Sequence, residues 1–106
     1  MSAAPPKAVG IALIVLYTDH VEESRAFYSG LGLALVQEQH GRGPVHYAAT
    51  LPDGTVVELY PATARRPVSS VRLGFTVDGR TVTPPLAPGR HVVEDPDGRA
   101  VELYVA

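Results

Sequence analysis

The chain has 106 residues, 45% of them hydrophobic and 19% charged, with a formal net charge of −2. That is enough chain for one core, and the charge gives no basic footprint for nucleic acid. It has no cysteine, which excludes disulfides, thiolate nucleophiles and zinc-thiolate sites, fits a reducing cytoplasm, and leaves oxygen and imidazole as the strong metal ligands.

Residues 1–8, MSAAPPKA, read as a loose tail before a single domain over 9–106. The apolar run from Ile11 to Tyr17 is too short to cross a bilayer and reads as a buried strand, so no membrane partner is expected. A helix follows. Asp19 and Glu22 have capping-box spacing, Val21, Ser24, Phe27 and Leu31 recur at helical spacing, and Gly30 is placed to end the helix. Leu33 to Gln39 reads as a strand, HGRGP as a loop, and Val45–Leu51 with Thr55–Tyr60 as a hairpin around PDG. Residues 61–70 form a linker. Val71 to Val77 alternates, with Val71, Leu73, Phe75 and Val77 on one face and Arg72, Gly74 and Thr76 on the other. The proline-rich DGRTVTPPLAPGR then leaves no room for a helix before a strand from His91 and a final hairpin.

The last twelve residues, DPDGRAVELYVA, match LPDGTVVELYPA (51–62) at eight positions, which marks an internal duplication. The first module (9–60) is strand, helix and three strands; the second (71–106) has lost its helix. Two copies this small must share a core. In each, alternation puts Val57 and Leu59, or Val101 and Leu103, on the core face, and Glu58 with Tyr60, or Glu102 with Tyr104, on the opposite one.

The order of a strand, ESRAFYSGLGL, HGRGPVHYA, PDGTVVELYP and a closing DPDGRAVELY resembles the vicinal oxygen chelate superfamily of glyoxalases, extradiol dioxygenases and bleomycin-resistance proteins. The resemblance covers nearly the whole chain. It implies an α+β fold in which two βαβββ-type modules form a curled mixed-sheet cup, here with the second helix missing. It also implies metal ligands on the first and last strands of each module. The last-strand positions match Glu58 and Glu102, whereas the first-strand positions fall on Ala12 or Leu13 and on Arg72. Two carboxylates facing an alkyl group and a guanidinium make a poor cage for a divalent ion. A fixed Arg72 could instead neutralise either glutamate without metal. His46 and His91 are the imidazoles that could complete a centre for Ni, Co, Zn, Mn or Fe. An even-numbered PDG loop pairs Ala49 with Glu58 and turns His46 away, and an odd-numbered loop brings it round.

The candidate ligand-binding residues are therefore Glu58, Tyr60, Arg72, Glu102, Tyr104, His46 and Tyr47, with Glu58 and Glu102 the candidate catalytic groups. The plainer readings are a solvated strand face for the glutamates, rim packing for the tyrosines and a structural role for His46. His20 and His40 read as surface residues, Phe27 as core, Tyr28 as a residue of the cup entrance, and Asp53 and Asp97 as turn residues. No nucleophile elbow, phosphate loop or HExxH is present. Three functions compete: a metal-independent small-molecule binding protein, which is favoured; a metal-dependent lyase, isomerase or dioxygenase; and an interaction module. A homodimer is expected, on the ground that the missing second helix leaves an apolar sheet face for another subunit to cover.

Overall fold

Alternating apolar residues commit most of the chain to strands. In chain order the elements are β1 (Leu13–Thr18), α1 (Val21–Gly30), β2 (Val36–Glu38), β3 (His46–Thr50), β4 (Val56–Pro61), β5 (Leu73–Val77), β6 (Gly89–Glu94) and β7 (Ala100–Val105). This computed structural model describes residues 7–106; residues 1–6 of the expected tail lie outside the described residues. One sheet has the order β1-β4-β3-β2 and the other β5-β7-β6. In both, the module's first strand runs parallel to its last, which pairs antiparallel with the strand before it. The architecture is α+β, and the second module lacks a counterpart of β2 as well as the helix. The first strand is less buried than its apolar run suggests, because Ile11 precedes it and Leu13 lies on its outer face, both exposed.

The hairpin register settles which side chains share a face. Ala48 lies opposite Glu58 and Thr50 opposite Val56, so the loop spans residues 51–55 and is odd-numbered. Thr55 belongs to that loop because its N–H donates to Asp53 Oδ1 at 2.9 Å and its hydroxyl to the Ile11 carbonyl at 2.7 Å. His46 consequently shares the outer face with Glu58 and Tyr60, and Tyr47 points to the helix side. The second hairpin repeats the turn: Asp95 N–H donates to the Arg99 carbonyl as Leu51 N–H does to that of Thr55, and Gly54 and Gly98 both take positive φ, 93° and 84°.

The helix departs from the expectation at both ends. His20 is the N-cap and no side chain caps it, so the Asp19–Glu22 capping box does not form. Asp19 instead donates its N–H to Asp97 Oδ1 at 3.2 Å, and Glu22 accepts hydrogen bonds from the Tyr47 hydroxyl and from Arg25 Nε. These bonds hold the Glu22 carboxyl below its ordinary range, Tyr47 first and Arg25 second. At the other end Gly32, with φ 106°, takes the left-handed position rather than Gly30. The inward stripe runs through Ser24, Tyr28 and Leu31. Tyr28 is fully buried where a cup-entrance residue was expected, and Phe27 is only half-buried.

The single helix serves both sheets. Leu16, Val57 and Leu59 from one side and Leu73, Val101 and Leu103 from the other join Tyr28 and Leu31 in one core. The rings of Tyr28 and Phe75 meet edge-on at 6.3 Å. The proline-rich segment takes over from the lost helix: Val82 is buried, Leu86 packs against the core, and Thr83 N–H donates to the Gly30 carbonyl at 2.9 Å. Its approach is so close that a Cβ on Gly79 would sit 2.3 Å from the Leu86 carbonyl oxygen. The inner face of the second sheet is thus covered within the chain, which corrects the expectation of an exposed apolar face there.

A buried ion pair joins the modules. Arg99 and Asp95 side chains are 1% and 0% exposed and meet at 2.9 Å. Arg99 also reaches Asp97 at 3.1 Å, the Ser69 carbonyl at 3.0 Å and the Tyr17 carbonyl of β1, while the Tyr28 hydroxyl donates to Asp95 at 2.7 Å. Burial pushes the Asp95 carboxyl up, but the bonds from Tyr28 and Arg99 outweigh it and leave the group below its ordinary range. Removing one partner strands the other charge, so Arg99→Ala should cost about 3–5 kcal/mol in urea denaturation. Converting both residues to the first copy's pair, Asp95→Leu with Arg99→Thr, should cost less than the two single changes added together. Additive losses would show that the two charges do not act as a unit.

Candidate functional site

Each V-E-L-Y strand turns its glutamate and tyrosine away from the core, and each pair finds a cationic or imidazole partner on the neighbouring antiparallel strand. In the first module that partner is His46, which lies opposite Tyr60 in the register implied by Tyr47 opposite Leu59. Its ring is stacked on that of Tyr60, with centroids 4.0 Å apart and planes 12° from parallel. The His46 side chain is 1% exposed, with Nε2 3.7 Å from Glu58 Oε2 and 3.5 Å from Glu38 Oε1. Tyr17 flanks the group, its ring 6.1 Å from that of Tyr60. Burial, then the charges of Glu58 and Glu38, raise the Tyr60 hydroxyl above its ordinary value.

In the second module the corresponding residue is Arg90, opposite Tyr104. Arg90 donates to Glu102 Oε1 at 2.6 Å, Arg72 donates to the same oxygen, and the Tyr104 hydroxyl donates to Oε2. Gly74 lies beside Glu102 on β5, and its missing side chain leaves room for the Tyr104 ring, which a Cβ would meet at 3.3 Å. The Tyr104 hydroxyl, then Arg90 and Arg72, hold the Glu102 carboxyl down at about 2. Glu102 is therefore a fixed anion, unsuited to accept a proton near neutral pH.

Six of the seven candidate ligand residues thus fall into two clusters: His46, Glu58 and Tyr60 on one wall, and Arg72, Glu102 and Tyr104 on the other. Each cluster draws its hydrogen bonds and ion pairs from its own module among the described residues. Tyr47 and His91 lie elsewhere. Tyr47 is on the helix side, bonded to Glu22, and His91 lies opposite Leu103 on the core side of β6, with Nε2 2.8 Å from the Ala87 carbonyl. The set Glu58, Glu102, His46 and His91 is therefore not brought together. On the first strands the residues beside the two glutamates are Val15 and Gly74, not the expected Ala12 or Leu13 and Arg72; neither side chain can ligate a metal, and Arg72 and Arg90 already saturate Glu102. These residues do not fit a metal shared between the modules.

Arg90 and Glu38 were not singled out from the sequence, and His40 was read as a surface residue, which its exposure bears out. Arg90 was findable, since the spacing that maps Glu58 onto Glu102 also maps His46 onto Arg90. In a carboxyl NMR titration Glu102 should show a midpoint of about 2, and Tyr104→Phe should move it toward the ordinary glutamate value of about 4.3. Because the folded value is depressed, the stabilisation from this group is complete above the unfolded value and is lost as pH falls toward the folded one. An ordinary midpoint in the unaltered protein would contradict the geometry.

Comparison with known proteins agrees with the architecture. The model of the Glyoxalase/Bleomycin resistance protein/Dioxygenase superfamily matches residues 10–77, more than half of the chain. No curated protein matches. Among solved structures, the chain is similar to TnmS3, an antibiotic binding protein from Streptomyces sp. CB03234, with TM-score 0.66 and 19% identity over 95% of this chain and 98% of that one. It is also similar to the oxidase ChaP-H2, with TM-score 0.63 and 14% identity over 92% and 94% of the two chains. A glyoxalase/dioxygenase from Nostoc punctiforme gives TM-score 0.63 and 19% identity over 97% and 94%. At these identities the structural likenesses speak for the fold alone, and with the family match they place the chain in the Glyoxalase/Bleomycin resistance protein/Dioxygenase superfamily.

Proposed function

We propose that the protein binds a small molecule in the cup formed by the outer faces of its two modules, without the superfamily's shared metal centre. The observation that carries this reading is the double engagement of Glu102 by Arg72 and Arg90, which turns a potential metal ligand or base into a fixed polar anchor. Tyr17, Tyr60 and Tyr104 supply flat apolar surface around such anchors, the usual make-up of a ligand site. The similarity to an antibiotic binding protein supports the same class of activity. The preferred ligand is planar and largely apolar, stacked on Tyr60 and oriented by Glu58 on one side and Arg72 on the other. In a thermal-shift screen of such compounds at least one should raise the melting temperature. Tyr60→Ala and Arg72→Ala should each weaken its binding about tenfold, equivalent to about 1.4 kcal/mol. A screen without a stabilising ligand removes the reading.

The cup is closed by a second copy in this proposal. The radius of gyration is 15.5 Å, above the roughly 13 Å of a compact chain this long. The walls also differ in charge: Glu38 and Glu58 share neutral or imidazole partners, whereas two guanidinium groups surround Glu102. In an isologous pair the first-module wall of each copy faces the second-module wall of the other. Light scattering at micromolar concentration should give a dimer mass; a monomer excludes this closure.

A further inference from the structure

The outer wall of the first module carries a donor cluster in which Glu38 and His40, residues outside the proposed ligand site, join His46 and Glu58. One ligand atom each from Glu38, His40 and His46 lie within 4.8 Å of one another. Glu58 adds a second carboxylate 3.7 Å from His46 Nε2. We infer that Glu38, His40 and His46, with Glu58 beside them, form a binding site for a divalent transition-metal ion of the zinc, cobalt or nickel type.

The orientation of His46 is the first argument. Its Nδ1 lies 3.1 Å from the Pro44 carbonyl, which can only accept, so Nδ1 is the donating nitrogen and Nε2 is the one turned toward Glu38 and Glu58. A backbone carbonyl holding the far ring nitrogen in this way is the usual support of a metal-bound histidine. The Tyr60 hydroxyl is 3.2 Å from Nε2, but its ring is stacked nearly parallel to the imidazole. A phenol in that position approaches the nitrogen from above the ring plane, whereas the lone pair lies in the plane.

Charge is the second argument. Among the described residues no lysine or arginine forms an ion pair with Glu38 or Glu58, in contrast to the two arginines on Glu102. Two carboxylates with no lysine or arginine partner attract a cation, and Arg90 provides one in the other module where His46 stands here. The donor chemistry is the third argument. Two imidazoles with one or two carboxylates suit zinc and its neighbours, while magnesium and calcium prefer oxygen alone. His40 closes the set from the outside: its ring centroid is 5.1 Å from that of His46, and it is exposed, so it can swing onto an ion without disturbing the core. The site lies in one sheet, takes nothing from Glu102 and shares Glu58 with the proposed ligand site, and it goes beyond the ligand-binding reading because an ion can be bound there with no organic ligand present.

The test uses untagged protein stripped with chelator and dialysed, titrated with cobalt(II) by visible absorption and with zinc by calorimetry, with no organic ligand present. One equivalent should bind and give the visible bands of a low-coordinate cobalt site. His40→Ala and Glu38→Gln, both at accessible positions, should each weaken binding at least about tenfold. His20→Ala, which removes the separate His20–Glu23 pair on the helix, should leave binding unchanged. Failure of the unaltered protein to take up one equivalent overturns the inference. So does unchanged affinity in both His40→Ala and Glu38→Gln, or a loss in His20→Ala.

Discussion

The structure depends on the buried contact between Asp95 and Arg99. One helix cannot cover two sheets unless both are held against it in fixed positions, and this pair provides the hold. Arg99 starts from the second hairpin and reaches the backbone of β1 at Tyr17 and of the linker at Ser69, while Asp95 receives the hydroxyl of Tyr28 from the helix. Strand, linker, helix and second hairpin therefore meet on two charges from which water is excluded. Hydrogen bonds on several sides make such a pair tolerable in a low-dielectric interior, and they also make its geometry specific.

Duplication explains why the pair arose in one copy only. The two hairpin loops have the same hydrogen bonds and the same left-handed glycine, yet Leu51 and Thr55 of the first become Asp95 and Arg99 in the second. In the first loop Thr55 needs only to reach the Ile11 carbonyl within its own module. The second loop faces the other module, and there the same two positions carry opposite charges that bind across the junction. Loss of the second helix fits the same logic. With α1 shared, a second helix would compete for the space that Val82 and Leu86 fill.

The fold was legible because its signals are periodic and repeated. Alternation located the strands, the repeat fixed the orientation of both V-E-L-Y segments, and prolines excluded a second helix. The site was legible only in part, for a local reason. Whether His46 joins Glu58 turns on the parity of one loop, and parity depends on Thr55 being drawn out of β4 by Asp53 and Ile11, which no propensity expresses. The exchange of Phe27 and Tyr28 has a similar origin: the apolar ring was assigned to the core, but Tyr28 can enter it because Asp95, distant in sequence, accepts its hydroxyl proton. Glu38 escaped notice because β2 is three residues long and lacks a repeat counterpart, and His40, in the loop after it, read only as a surface residue.

The same asymmetry assigns different chemistry to the two walls. Both descend from one pattern in which a glutamate and a tyrosine on the last strand face a side chain on the strand before it. Where that side chain is Arg90, joined by Arg72, the carboxylate is saturated and its charge is permanent across the ordinary pH range. Where it is His46, no lysine or arginine pairs with the carboxylate among the described residues, and its near partner is an imidazole. A symmetric pair of walls would repel a second copy of itself when brought face to face, since each would present the same sign. Divergence at this one position removes that conflict and gives the two walls opposite leanings, two guanidinium groups around Glu102 and none paired with Glu58 among the described residues.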